Sequence, residues 1–169
     1  RKFYGSLRSE IGKILRQLCG QQGVELVKGN AMPDHVHLLL KTGLTPIATV
    51  MRRLLTGYAV SFNRRHRRSG HLFQNRYKSI LCQEEPYLRE LVRYIHLNPV
   101  RAGIVKNLSS LERYAYTGHS AMMGKRENPW QDTESVLQHF DEHRRAAQRK
   151  YRDFVEKGIG QERNPQMTG

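Results

Sequence analysis

The stretch that decides the fold of this chain is MPDHVHLLL, residues 32–40. Successive side chains of a β-strand point to opposite faces, so a strand here places His35 and His37 on one face. The opposite face carries three aliphatic side chains that feed a core: Val36, Leu38 and Leu40. Two imidazoles on one strand face, roughly 6–7 Å apart at the backbone, can bind one divalent metal ion. The pattern alone is equally typical of two strand histidines without a metal, so other parts of the chain must decide between these interpretations.

A strong positive charge narrows the class of partner. The 169 residues include 29 Lys and Arg against 15 Asp and Glu, a net charge of +14. Such a charge favours polyanions, nucleic acid ahead of an anionic membrane surface. No apolar run approaches the ~18 residues of a membrane span, and the first residues lack the apolar region of a signal peptide. The two cysteines, Cys19 and Cys82, make no disulfide framework, so we expect a cytoplasmic protein that does not enter a membrane.

Hydrophobic periodicity predicts an α+β fold with an antiparallel sheet. The predicted elements are a helix over 7–19, a strand pair within 24–41, a helix from Thr45 and Pro46 to Phe62, a strand over 77–82 and a helix over 85–97. Their order is that of the ferredoxin-like split βαββαβ plan without its first strand. We expect either that the natural protein is longer at this end or that residues 1–4 supply part of the missing strand.

The sequence also predicts where the domain ends. The predicted parts are a core over 1–105, a loop-rich and helical C-terminal extension over 106–158 and a disordered tail over 159–169. Within the extension we expect two helices, over 133–140 and 142–157. Asp132 is a candidate cap at the start of the first, and Gly158 ends the second.

A tyrosine on the third complete helix is a candidate nucleophile. Tyr94 lies off the apolar stripe of this helix, and Asn98, four residues on, shares its face if helical geometry persists that far. A tyrosine hydroxyl can attack a phosphodiester when a divalent metal, Mg²⁺ or Mn²⁺, polarises the phosphate. His35, His37 and Asn98 could be the ligands of that metal. Tyr87, two turns earlier on roughly the same face, competes with Tyr94 on geometry alone.

Basic residues between the histidine strand and the tyrosine helix form the candidate DNA-binding surface. Its members are Arg52, Arg53, Arg64, Arg65, Arg67, Arg68, Phe73, Arg76 and Lys78. Phe73 and Tyr77 can stack unpaired bases beside the arginines, but Phe73 is equally well interpreted as a core residue. A second basic group lies on the C-terminal helix: Arg144, Arg145, Arg149, Lys150 and Arg152. These residues either contact duplex DNA or form a basic face exposed to solvent, and the sequence favours neither interpretation.

Four motifs in this order resemble the single-tyrosine HUH transposases, and within them the REP-associated tyrosine transposases. They are MPDHVHLL at 32–39, FNRRH at 62–66, GHLFQNRYK at 70–78 and YIHLNPVRAG at 94–103. The resemblance implies a ferredoxin-like HUH nuclease core, with His35 and His37 as the metal-binding pair. It implies Tyr94, rather than Tyr87, as the catalytic tyrosine and Asn98 as a polar third ligand.

The same resemblance implies a reaction and a substrate. The tyrosine attacks single-stranded DNA beside a hairpin, leaves a 5′-phosphotyrosine link and a free 3′-hydroxyl, and a hydroxyl later reverses the link without ATP. It implies a bacterial, nucleoid-associated protein that acts as a monomer or a homodimer. The leading hypothesis is therefore a metal-dependent transposase. The alternatives are a catalytically silent hairpin-DNA binding protein and a basic RNA-binding protein, whose usual pair of strand aromatics is not apparent.

Overall fold

A computed structural model describes residues 13, 14, 17, 25–31, 36–41, 43–82, 85–129 and 131–161. The chain divides into two compact units, each described here by itself. The first unit is Arg1–Glu25 with Lys41–Ser79, and the second is Leu26–Leu40 with Ile80–Gly169. Among the described residues, no helix is both long enough and apolar enough to cross a membrane.

The predicted strand pair is confirmed. β1 (Glu25–Ala31) and β2 (Val36–Lys41) form a two-stranded sheet. The connection between them is too short for a parallel crossover, so the pair is antiparallel. Val36 to Leu40 are all half-buried, so both faces of β2 are partly covered.

Two other predicted elements have different outcomes. The strand predicted over 77–82 is wrong, because these residues are neither strand nor helix. Most of the helix predicted over 7–19 lies outside the described residues, although Lys13, Ile14 and Gln17 are helical. The ferredoxin-like plan therefore stays a prediction.

Helix α1 (Ile47–His66) dominates the first unit and is longer than predicted. Pro46 occupies the N-cap, so the helix begins one residue later than expected. Its buried stripe has a spacing of four residues: Val50, Leu54, Tyr58 and Phe62. The helix ends at Arg67, which adopts the left-handed conformation (φ 51°, ψ 45°). The backbone N–H groups of Arg67 and Arg68 both donate to the carbonyl of Asn63, and the bond from Arg68 is the 6→1 bond of a Schellman motif.

Helix α2 (Glu85–Arg101) passes through Pro99, where the sequence predicted a stop. Proline removes one backbone donor, but the last turn tolerates this because Ala102 N–H still donates to Asn98 O at 2.9 Å. The helix is closed by Gly103 at φ 66°. Helical geometry therefore does persist to Asn98.

The C-terminal extension packs against α2. Its helices are α3 (Leu108–Arg113), α4 (His119–Met122), α5 (Glu134–Leu137) and α6 (Arg144–Lys157). The predicted helices over 133–140 and 142–157 correspond to the shorter α5 and α6, and Gly158 follows α6 as expected. Asp132 accepts a hydrogen bond from Ser135 N–H at 3.0 Å, in the role predicted for it. One core joins these elements: Val92 and Leu97 of α2 with Leu108, Leu111, Met122, Val136, Leu137, Ala147, Tyr151 and Val155. The tail beyond residue 161 lies outside the described residues.

Candidate functional site

The candidate nucleophile Tyr94 lies where β2 packs on α2. Its side chain is only 6% exposed. Tyr94 and Ile95 form a small buried cluster, against which Leu39 of β2 and Tyr87 and Leu91 of α2 pack. The histidine strand and the tyrosine helix thus share a contact within the second unit.

His37 is in direct ring contact with Tyr94. The two ring centroids are 5.9 Å apart, and the ring planes meet edge-on at 83°. Sequence reasoning predicted this proximity, and the structure brings the two residues together. His35, the other predicted ligand, lies outside the described residues.

Asn98 is the third predicted ligand and is as buried as Tyr94, at 6% exposure. It lies one helical turn after Tyr94, so both side chains leave α2 on the same face. Within the described part of the chain, its amide nitrogen has no hydrogen-bond partner. A buried amide N–H group without a partner costs about 1–3 kcal/mol. The amide oxygen is the atom that could bind a metal ion.

The donors present are compatible with a divalent cation. An imidazole nitrogen and an amide oxygen are both acceptable ligands, and His37 and Asn98 both adjoin Tyr94. No cluster of three or more His, Cys, Asp or Glu side chains occurs among the described residues, a set that leaves out His35. His37 and Asn98 are acceptable metal-ligand types, and the metal site made by His35, His37 and Asn98 stays a prediction.

The predicted DNA-binding residues all belong to the first unit. Lys41–Ser79, named here the basic segment, contains nine Lys and Arg and no Asp or Glu. Its candidate contacts are all exposed: Arg52, Arg53, Arg64 and Arg65 on α1, then Arg67, Arg68, Phe73, Arg76 and Lys78 beyond it. An acid-free stretch of this kind presents a positive surface that its own side chains do not neutralise.

Phe73 combines the two interpretations that the sequence left open. Its ring contacts that of Tyr58 on α1, with centroids 5.9 Å apart, yet 37% of the residue is exposed. The loop that carries it is tied to α1, because Asn63 Nδ2 donates to Gly70 O at 2.9 Å. Tyr77 is similarly exposed. The loop therefore presents two exposed aromatic rings, and the ring of Phe73 also packs against Tyr58 of α1.

Comparison with known proteins connects these features to a family. The sequence profile of a family described as "Transposase IS200 like" matches residues 1–98, more than half of the chain. The chain belongs to the IS200-like transposase family. The REP-associated subtype stays a prediction. The matched range contains His35, His37, Tyr94 and Asn98, whereas residues 99–169 lie beyond it.

Two curated relatives agree with the family assignment. The "Transposase for insertion sequence element IS200" of Salmonella typhimurium and that of Salmonella typhi are each 41% identical to this chain over 39 residues. The aligned stretch covers 23% of this IS200-like chain and 26% of each relative, about a quarter of their length. No solved structure matches the chain.

Beyond the family match, the IS200-like chain has a residue beside Tyr94 that the sequence analysis missed. The guanidinium carbon of Arg101 lies 5.6 Å from the centroid of the Tyr94 ring. Arg101 also donates from Nη2 to Gly158 O at 3.4 Å. The signal was its position seven residues after Tyr94, two turns along the same helical face.

A buried polar cluster was missed as well. The Tyr151 hydroxyl is hydrogen-bonded to Nδ1 of His96 and, at 2.7 Å, to Nδ1 of His119. All three residues are fully buried. His96 lies four residues from both Val92 and Val100, so it falls on the core face of α2, and that polar residue in an apolar stripe was the available signal.

Three of the five basic side chains singled out on the C-terminal helix form ion pairs. Arg144 pairs with Glu134, Lys150 with Asp141 at 2.6 Å, and Arg152 with Glu112 at 2.8 Å and with Glu156 at 3.2 Å. The hydrogen bond from Lys150 holds the pKa of Asp141 down to about 2. These partners make α6 a weaker candidate for DNA contact than the basic segment.

Proposed function

We propose that this IS200-like transposase is a metal-dependent single-stranded DNA endonuclease and strand transferase that uses Tyr94 as its nucleophile. The observation that carries the proposal is the contact of the His37 ring with the Tyr94 ring at 5.9 Å. Asn98, buried one turn away on the same face, supports it. A candidate nucleophile and two candidate metal ligands are thereby brought together from separate parts of the sequence.

In the proposed reaction, the Tyr94 oxygen attacks the phosphorus of a phosphodiester. The phosphorus–tyrosine oxygen bond forms while the bond to the 3′-oxygen breaks, and the phenolic proton is lost as the 3′-hydroxyl gains one. The product is a 5′-phosphotyrosine ester. One ester replaces another, so attack by a hydroxyl can rejoin the strand without ATP.

His35, His37 and Asn98 would hold the metal. A bound Mg²⁺ or Mn²⁺ would stabilise the negative charge on the non-bridging oxygens of the attacked phosphate. The burial of Tyr94 limits the access of water to the tyrosyl ester, which protects the intermediate from hydrolysis.

The basic segment would bind the single strand and its flanking hairpin. Its exposed arginines suit a phosphate backbone, and binding through them weakens with added salt. The exposed rings of Phe73 and Tyr77 can stack unpaired bases, a contact worth about 1–3 kcal/mol per base. The hairpin as the recognition element rests on the family resemblance.

The test is the formation of a covalent protein–DNA adduct with labelled hairpin-flanked single strands and Mg²⁺ or Mn²⁺. We expect an adduct that survives denaturing electrophoresis, depends on the metal and is abolished in Tyr94→Phe. Tyr87→Phe is the matched control, since Tyr87 packs against the same cluster and should be dispensable. An adduct that persists in Tyr94→Phe and is lost in Tyr87→Phe would reverse the assignment.

A second candidate is a hairpin-DNA binding protein without chemistry. The low exposure of Tyr94 favours it, since a side chain 6% exposed is also typical of a core residue. Tight hairpin binding that is unaffected by chelator, with no adduct on any single-stranded substrate, would establish this alternative.

A further inference from the structure

We propose that the C-terminal helix α6 positions the nucleophile, with Arg101 and His96 as positioning residues. This inference rests on the proposed role of Tyr94. It gives a function to the segment beyond residue 98, which the family match does not reach. Two links join α6 to the tyrosine helix, one at each side of α2.

The first link is Arg101, which contacts both α6 and Tyr94. Its guanidinium lies over the Tyr94 ring, and its Nη2 donates to Gly158 O, at the end of α6. The carbonyls at a helix C-terminus carry partial negative charge, so this is a favourable site for a guanidinium. Tyr94 is thus flanked by His37 on one side and by an arginine anchored to α6 on another.

The end of α6 is packed too closely to α2 to shift without disturbing this contact. A Cβ added at Gly158 would lie 2.6 Å from Arg93 Cδ and 2.9 Å from Leu97 Cδ1. The guanidinium of Arg93 stacks over the Phe154 ring of α6, with its carbon 4.4 Å from the centroid. Gly158 O is therefore a fixed anchor for Arg101.

The second link is the buried cluster of His96, Tyr151 and His119. The Tyr151 hydroxyl can donate one hydrogen bond and accept others, so it can pair with Nδ1 of both histidines at once. Neither imidazole can rotate without losing its buried hydrogen bond to the Tyr151 hydroxyl. This makes the contact directional, unlike the apolar packing around it.

The geometry of α2 turns this link into a constraint on Tyr94. Residues two apart on an α-helix point about 200° apart, so His96 and Tyr94 lie on nearly opposite sides of α2. On the side of α2 away from Tyr94, the hydrogen bond between His96 and Tyr151 of α6 limits rotation of the helix. On the side of Tyr94, Arg101 contacts the Tyr94 ring and is itself bonded to Gly158 at the end of α6.

The alternative is that these contacts only stabilise the fold. The test therefore measures DNA affinity and the rate of adduct formation separately, since a positioning role affects the rate without affecting the affinity. For each variant we would measure the dissociation constant for hairpin-flanked DNA and the single-turnover rate of adduct formation, after circular dichroism has shown that the variant is folded. Arg101→Gln should slow adduct formation by about 10- to 100-fold, the range expected from a small misplacement of a reacting group. Its dissociation constant should stay within about threefold of the parent value.

Two further variants complete the comparison. Arg101→Lys keeps the charge and a donor, and should recover part of the rate. Arg126→Gln removes an exposed arginine elsewhere in the second unit and should leave both quantities unchanged. An unchanged rate in Arg101→Gln, or a weakened affinity that accounts for the whole loss, would overturn the positioning role.

A readout without activity separates this inference from the proposed function. In isotopically labelled protein, the nuclear Overhauser contact between the His37 and Tyr94 rings reports their packing directly. We expect the contact in the parent protein and its weakening in both Arg101→Gln and Tyr151→Phe. If the parent protein forms no adduct, the proposed function fails. If the ring contact is unaltered in both variants, the positioning role fails, whether or not the parent forms an adduct.

Discussion

Removing the Tyr151 hydroxyl should destabilise the second unit far more than the loss of one oxygen atom suggests. Tyr151→Phe keeps the buried ring but deprives His96 and His119 of the partner that both share. Each buried polar group left without a partner costs about 1–3 kcal/mol. Because both histidines are fully buried, water cannot replace the hydroxyl without a cavity. We expect a loss of about 3 kcal/mol in the free energy of unfolding.

Urea unfolding followed by circular dichroism measures this loss. A change of about 3 kcal/mol corresponds to a fall of about 6–12 °C in Tm for a chain of this size. Tyr77→Phe is the matched control, since it removes a hydroxyl from an exposed tyrosine and should change stability by less than about 0.5 kcal/mol. A loss below about 1 kcal/mol in Tyr151→Phe would show that the hydroxyl is not the shared partner and would refute the reasoning.

Two further predictions concern pH and salt. Burial raises the pKa of Tyr151 well above its ordinary value of 10.0. Above pH ~10 the unfolded state loses this proton while the folded state keeps it. The stability that protonated Tyr151 contributes is therefore fully present below pH ~10 and is lost as the pH rises further. Above pH ~10, the free energy of unfolding should fall less steeply with pH in Tyr151→Phe than in the parent. Equal slopes for the two proteins would contradict the prediction. For salt, Arg52→Gln should reduce the magnitude of the negative slope of log affinity against log salt concentration by about 0.7, the value for one phosphate contact on a single strand. Arg144→Gln, whose parent side chain is paired with Glu134, should leave the slope unchanged, and equal slopes for the two variants would refute the assignment of the basic segment.

The elements that sequence predicted best are those whose signal is local. The stripe from Val50 to Phe62 identified α1, and alternation identified the strand pair. Helix ends were less accurate, because Arg67 accepts the left-handed conformation usually given to glycine and Pro99 is tolerated in a last turn. The strand predicted over 77–82 was wrong because strand formation needs a partner edge, which local propensity does not report.

The candidate site divides in the same way. The proximity of His37 and Tyr94 was predicted from motif and residue chemistry, and the structure places their rings in contact. Arg101 and His96 were missed because their partners, Gly158 and Tyr151, are more than fifty residues away in sequence. Such pairings depend on how the C-terminal extension packs, which no pattern in either segment specifies by itself.

The most direct test of the central claim is to locate the DNA attachment by mass spectrometry. After incubation with hairpin-flanked single strands and Mg²⁺ or Mn²⁺, the adduct is digested with protease and nuclease and its modified peptide is sequenced. We predict a nucleotide phosphate esterified to Tyr94. Attachment at Tyr87, or a protein that binds the DNA tightly yet forms no covalent bond to it, would contradict the account.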